Sequence, residues 1–210
     1  MNEERSRWDA WWTGGRKDAM TYPTYAKAMQ DWVALQSHSG PKPSEALAEY
    51  TRLNAFRMHR VGKTAQWPPA LDAILDSGAL QGQHWVLITE SWCGDAAQTV
   101  PLIGALAERA KVPLDVVLRD APSQIIGDFL TNGGRSIPMW IVADSAGKVL
   151  GHWGPRPKEA QNMVADYKEA ADPKPEYRVF AGEVQKWYSR NKGVAFFDEA
   201  TQLLVGSRII

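Results

Sequence analysis

Apolar residues recur along this chain with two different periods, and the change of period divides it. Tyr25, Met29, Trp32 and Val33 fall at i, i+4, i+7 and i+8, one face of a helix that Gly40-Pro41-Lys42-Pro43 stops. Ser44 is an N-cap candidate for a second helix that carries Leu47, Tyr50, Leu53 and Phe56 and runs to Gly62. Trp67-Pro68-Pro69 opens a short third helix with Leu71, Ile74 and Leu75, closed near Gly78. Upstream, Trp8, Trp11 and Trp12 have the i, i+3, i+4 spacing of an amino-terminal helix packed on a core.

After Gly82 the apolar runs shorten and lose their helical spacing. Trp85-Val86-Leu87-Ile88-Thr89 and Leu114 to Leu118 read as strands buried on both faces, and the stretch between them, with Val100, Leu102, Ile103, Leu106 and Ala107, reads as a helix. Strand, helix, strand in that order predicts a right-handed βαβ unit. Pro122 predicts another helix through Ile125, Ile126 and Phe129, ended by Asn132-Gly133-Gly134. Met139 to Ala143 and Lys148 to Leu150 flank Asp144-Ser145-Ala146-Gly147 as a hairpin. A helix from Pro157 through Met163, Val164 and Tyr167 follows, then the breaker Asp172-Pro173-Lys174-Pro175. Two further helices carry Val184, Trp187 and Tyr188, then Phe196, Ala200, Leu203 and Leu204, with Gly193 between them.

Composition narrows the function classes. With 210 residues, 44% hydrophobic and 23% charged, the chain is of ordinary globular make-up, and no apolar run reaches the roughly 18 residues that span a bilayer. Lysine and arginine (24) balance aspartate and glutamate (24), so no basic excess attracts nucleic acid or anionic lipid. A polar start, Met1 to Arg7, followed by tryptophans in place of an apolar signal core, makes a cytoplasmic location the expectation. His38, His59, His84 and His152 lack ligand spacing, and no metal site is expected. Gly62-Lys63-Thr64 has Arg57 where a phosphate-binding loop needs glycine. Arg52, Arg57, His59, Arg60 and Lys63 give the second helix a basic character that suits an anionic thiol peptide or an acidic partner, although such a run is more often simply a solvated face. Cys93 is the one cysteine, which excludes a disulfide within the chain.

Cys93 stands in Trp92-Cys93-Gly94-Asp95-Ala96, where the first strand meets its helix. Pro101 falls inside that helix, and Ser136-Ile137-Pro138 precedes the hairpin. In this order the three features resemble the thioredoxin family, most closely bacterial thioredoxin-like proteins with a Trp-Cys-Gly-Asp motif. The resemblance implies an α/β fold, βαβ plus ββα around a mixed sheet, over residues 67–170. Residues 1–66 and 171–210 are then helical extensions on the same domain. It also implies that Cys93 is the reacting group and that Pro138 is the cis-proline. Ile137 would offer its backbone to substrate, with Trp92 and Trp140 as an apolar rim beside Gly94 and Asp95. Ala96 stands where dithiol members carry their second cysteine and Leu87 where many carry a buried acid, so the ordinary dithiol cycle is excluded.

The expected chemistry is therefore monothiol thiol-disulfide exchange. Cys93 attacks a protein or low-molecular-weight disulfide, and an external thiol such as glutathione resolves the adduct, with no bound cofactor. A position at the start of a helix lowers a thiol pKa, whereas Asp95 two residues away opposes that, so a moderately activated thiol is expected. The alternatives are a non-catalytic binding or chaperone-like module and a redox sensor with a reversibly capped thiol.

Overall fold

The computed structural model describes residues 6–206. The polar start Met1 to Arg5 lies outside the described residues. In chain order the elements are α1 (Arg7–Thr13), β1 (Met20–Thr21), α2 (Tyr22–Ala34), α3 (Glu45–Thr64), α4 (Pro69–Asp76), β2 (Gln83–Thr89), α5 (Ala96–Ala110) and β3 (Leu114–Leu118). A 3-10 turn (Ile125–Asp128) follows, then β4 (Met139–Asp144), β5 (Val149–Trp153), α6 (Lys158–Glu169), α7 (Tyr177–Asn191) and α8 (Val194–Leu204). Local chemistry starts the first helices. The Ser6, Thr21 and Ser44 hydroxyls accept from the amides of Asp9, Thr24 and Leu47, satisfying N–H groups that a helix leaves free at its start.

The five strands form one mixed sheet in the order β1-β3-β2-β4-β5. β2 pairs parallel with β3, as the βαβ reading expects, and antiparallel with β4, while β4 and β5 form the hairpin. All five residues from Trp85 to Thr89 are buried, so the central strand has no polar face. The two-residue strand β1, which no sequence pattern announced, pairs antiparallel with β3 and extends the sheet there.

Helices α1 and α8 pack on the main core, whereas the apolar residues of α7 cluster with α6. Trp8 and Trp11 are buried, and the Trp8 indole N–H donates to the Gly147 carbonyl at 2.7 Å, which seats α1 on the β4–β5 turn. Phe196 of α8 packs edge-on to Trp153 at 5.0 Å and lies near Trp140, which in turn meets Trp85 at 4.9 Å.

Two expectations are corrected here. The helix predicted from Pro122 is only a 3-10 turn. Gln124 adopts a left-handed φ of 48°, and the Asp128 carboxylate accepts from the Trp8 amide at 2.8 Å, so the segment is shaped by α1 rather than by its own periodicity. Trp140 lines no rim: it is 0% exposed, at the centre of the aromatic core.

Candidate functional site

The turn after β2 delivers Cys93 to the start of α5. The Cys93 amide donates to the Glu90 carbonyl at 3.2 Å, and the Cys93 carbonyl accepts from the Ala97 amide at 3.1 Å, so the residue begins the helical hydrogen-bond pattern. The Asp95 and Ala96 backbone amides at the start of α5 favour its thiolate. Across the sheet, the Ile137–Pro138 peptide is cis, and the Cys93 thiol donates to the Ile137 carbonyl at 3.3 Å. The structure thus brings Cys93, Ile137 and Pro138 together from segments 44 residues apart.

Accessibility departs from the expectation. Cys93 is 9% exposed and Ile137 5%, and Pro138 is also buried, so the sulfur is largely covered. Burial, seconded by the Asp95 charge, pushes the thiol pKa up to about 12, against the smaller favourable effects of the two amides and Arg156. The moderately activated thiol is corrected to a protonated one, because desolvation outweighs the helix terminus.

This has a sign in pH. The folded-state value lies above the unfolded value of about 8.5, so the stabilisation is fully present below that pH and is lost as pH climbs toward about 12. The protein is expected to lose about 1.4 kcal/mol per pH unit relative to Cys93→Ala above pH ~9, read from urea midpoints across that range. Equal pH slopes for the two proteins would refute a buried, neutral thiol.

Cys93 itself lies in the main apolar cluster, and polar groups from far along the chain bond to the residues that follow it. The Asp95 carboxylate is fully engaged: Arg156 donates to Oδ2 through Nε at 3.0 Å and through a second nitrogen, and the Tyr188 hydroxyl donates to Oδ1 at 2.9 Å. Gln185 of α7 donates to the Gly94 carbonyl at 3.3 Å and accepts from Gln98 at 2.7 Å. Arg57 of α3 approaches Gly94 as well: a Cβ on that glycine would meet Gln185 Nε2 at 3.2 Å and Arg57 Nη1 at 3.6 Å. Trp92 lies under the Arg119 guanidinium, 4.7 Å from the ring centroid, so its face is occupied rather than free.

A second polar cluster holds α3 and the loop before it against the motif. Glu90 is buried and accepts from the Asp120 amide at 3.1 Å and from the Ser39 hydroxyl. Ser39 and Ser91 exchange amide-to-hydroxyl bonds at 2.9 Å, and Asn54 donates to the Ser91 carbonyl at 2.9 Å. Burial holds the Glu90 carboxyl above the usual carboxylate range. Leu87 is apolar as its sequence position shows, and the buried acid of this strand end is Glu90, three residues on.

Sequence reasoning brought Trp92, Cys93, Gly94, Asp95, Ile137 and Pro138 to one place, and the structure assembles them there. Arg156, Gln185, Tyr188 and Glu90 were missed, and Arg57 was noted only as part of a basic run. No local signal marks the first three: Arg156 and Tyr188 stand 61 and 93 residues from Asp95.

A cysteine at a strand-to-helix junction, beside a cis-proline on a mixed sheet flanked by helices, defines a protein of the thioredoxin fold. A family model described as thioredoxin matches residues 40–168, more than half the chain, and the chain belongs to that family. Among solved structures, it is similar to a protein of unknown function from Pseudomonas aeruginosa at 14% identity and a TM-score of 0.47, covering 72% of this chain and 91% of that one. It is similar at the same identity and TM-score to an HIV epitope-scaffold, covering 75% and 88%. No curated protein matches. Among the described residues no helix is long and apolar enough to cross a membrane.

Proposed function

We propose that the protein carries out thiol-disulfide exchange through Cys93 alone, on a protein or low-molecular-weight disulfide, with an external thiol resolving the adduct. The observation that carries this reading is the placement of one atom. Cys93 Sγ lies at the opening of α5, where the Asp95 and Ala96 amides favour its thiolate, and is set 3.3 Å from the Ile137 carbonyl next to Pro138. In the first step the deprotonated sulfur attacks a disulfide. A bond from Cys93 to one substrate half forms, the substrate S–S bond breaks, and the proton leaves with the other half as a thiol. In the second step an external thiol gives up its proton and attacks the substrate sulfur of the adduct; the new disulfide forms as the Cys93–substrate S–S bond breaks, and the released Cys93 thiolate takes up the proton. Ala96 supplies no internal thiol, so the second step is intermolecular. A reducing compartment such as the cytoplasm suits a lone thiol that must be regenerated from solution.

One observation favours the alternative, a thioredoxin-fold module without catalysis: the sulfur is buried and its pKa raised. Intact mass after incubation with oxidised glutathione separates the two. The exchange reading expects one glutathione on the native protein, none on Cys93→Ser, and release by excess reduced glutathione. An adduct that forms only after urea unfolding selects the non-catalytic module.

A further inference from the structure

We propose that α7 is a lid over Cys93, latched to Asp95 and lifted by anionic disulfides that pair with Arg57. The inference rests on Cys93 being the exchanging thiol.

The lid's attachments have the character of a latch. Where α7 meets the motif, its bonds are Gln185 to Gly94 and Gln98, and Tyr188 to Asp95. Lifting α7 exposes both partners of each bond, so water replaces them at small net cost, whereas deleting one partner with α7 in place leaves the other buried and unpaired. The apolar residues of α7 do not join the main core. Val184 and Tyr188 pack with Ala160, Phe180, Met163 and Trp187 in a separate small cluster between α6 and α7. Both ends of α7 are held. At its start Tyr167 of α6 stacks on Phe180 at 4.1 Å and donates its hydroxyl to the Pro175 carbonyl at 2.8 Å, although residues Ala170 to Glu176 are exposed. At its far end the Lys192 carbonyl accepts from the Gln66 amide at 2.9 Å, and Lys192 and Gly193, with left-handed φ of 52° and 84°, form a sharp corner. The lid turns on that corner when the half-buried Tyr167–Phe180 pair parts.

Arg57 lies beneath this lid. Its bonded side-chain partner is the neutral Asn54 Oδ1 at 2.8 Å, and among the described residues no carboxylate pairs with it, since Asp95 is taken by Arg156 and Tyr188. Burial and the neighbouring Arg60 disfavour its charge, against smaller favourable effects of Tyr50 and the nearby Asp95 charge. A guanidinium next to Gly94 with no carboxylate in direct contact, its nearest negative charge already shared with Arg156, can take an anion. A ligand shifts an equilibrium only by binding one state better than the other. An anionic disulfide meets that condition, because Cys93 and Arg57 become available to it together, in the open form.

The test uses the full chain and three reagents: iodoacetamide and 4,4′-dithiodipyridine, both uncharged, and oxidised glutathione, which is anionic. Combining Gln185→Ala with Tyr188→Phe is expected to speed iodoacetamide labelling of Cys93 by about tenfold or more, with faster hydrogen exchange in α7 and unchanged protection in β2 and β4. Arg57→Gln is expected to slow oxidised glutathione by about tenfold while leaving dithiodipyridine within about twofold. Labelling of the latch variant at the native rate overturns the lid. Equal slowing of both disulfides by Arg57→Gln overturns the selection for anions. Faster iodoacetamide labelling with no adduct from either disulfide overturns the exchange reading and the anionic substrate with it, and supports the lid on labelling and hydrogen exchange. Should the double variant fail to fold, Gln185→Ala alone serves the same comparison.

Discussion

Gly154→Ala is expected to destabilise the protein by about 3–5 kcal/mol, lowering the melting temperature by roughly 6–20 °C. Gly154 has φ of 141°, a backbone region that side chains rarely adopt. A Cβ there would collide with the Pro138 carbonyl oxygen and come within 3.2 Å of Met139 Cα and Pro138 C. The obstacles are backbone atoms of the adjoining strand, which cannot swing aside as a flexible side chain does. Trp153 pairs with Trp140, so the strain falls where β5 meets the start of β4, next to the proline segment that contacts Cys93. Gly133→Ala is the matched control. Its φ is 75° but an added Cβ meets nothing within 4 Å, so it isolates the backbone contribution, about 1 kcal/mol. Urea midpoints decide the matter, and equal losses for the two variants would show that the close approach to Pro138 costs nothing.

Asp95→Ala is expected to cost about 3 kcal/mol, because it leaves two buried partners unsatisfied. The side chains of Arg156 and Asp95 are 18% and 14% exposed, too enclosed for water to replace the lost bonds fully. The Tyr188 hydroxyl loses its acceptor at the same time. Arg156 retains a bond to Gln161 at 3.1 Å, which softens the loss. A double-mutant cycle with Arg156→Met isolates the pair: removing both charges should cost less than the sum of the single changes. A cost below about 0.5 kcal/mol for Asp95→Ala would place the pair with weak surface ion pairs. The charge-removing, shape-keeping Asp95→Asn should also lower the Cys93 pKa, since the Asp95 charge is the second cause of its elevation after burial.

These residues show why part of the site was readable in the sequence and part was not. Trp92 to Ala96 are contiguous, and their chemistry depends on backbone geometry that a strand followed by a helix repeats wherever it occurs. Ser136-Ile137-Pro138 could be joined to them because the order of elements fixes which strand lies beside β2. The predicted strands therefore paired as expected. The tryptophans of α1 likewise packed as their spacing foretold.

What the sequence by itself determined was the thioredoxin architecture, the position of its lone thiol at a helix start, and the absence of a second cysteine to release an adduct. Tertiary structure alone decided that this thiol is closed off and protonated. The physical reason is that a pKa follows the whole surroundings of an atom. Here those surroundings are the main apolar core, which encloses Cys93, and the Asp95 charge, which Arg156 and Tyr188 hold in place from 61 and 93 residues away.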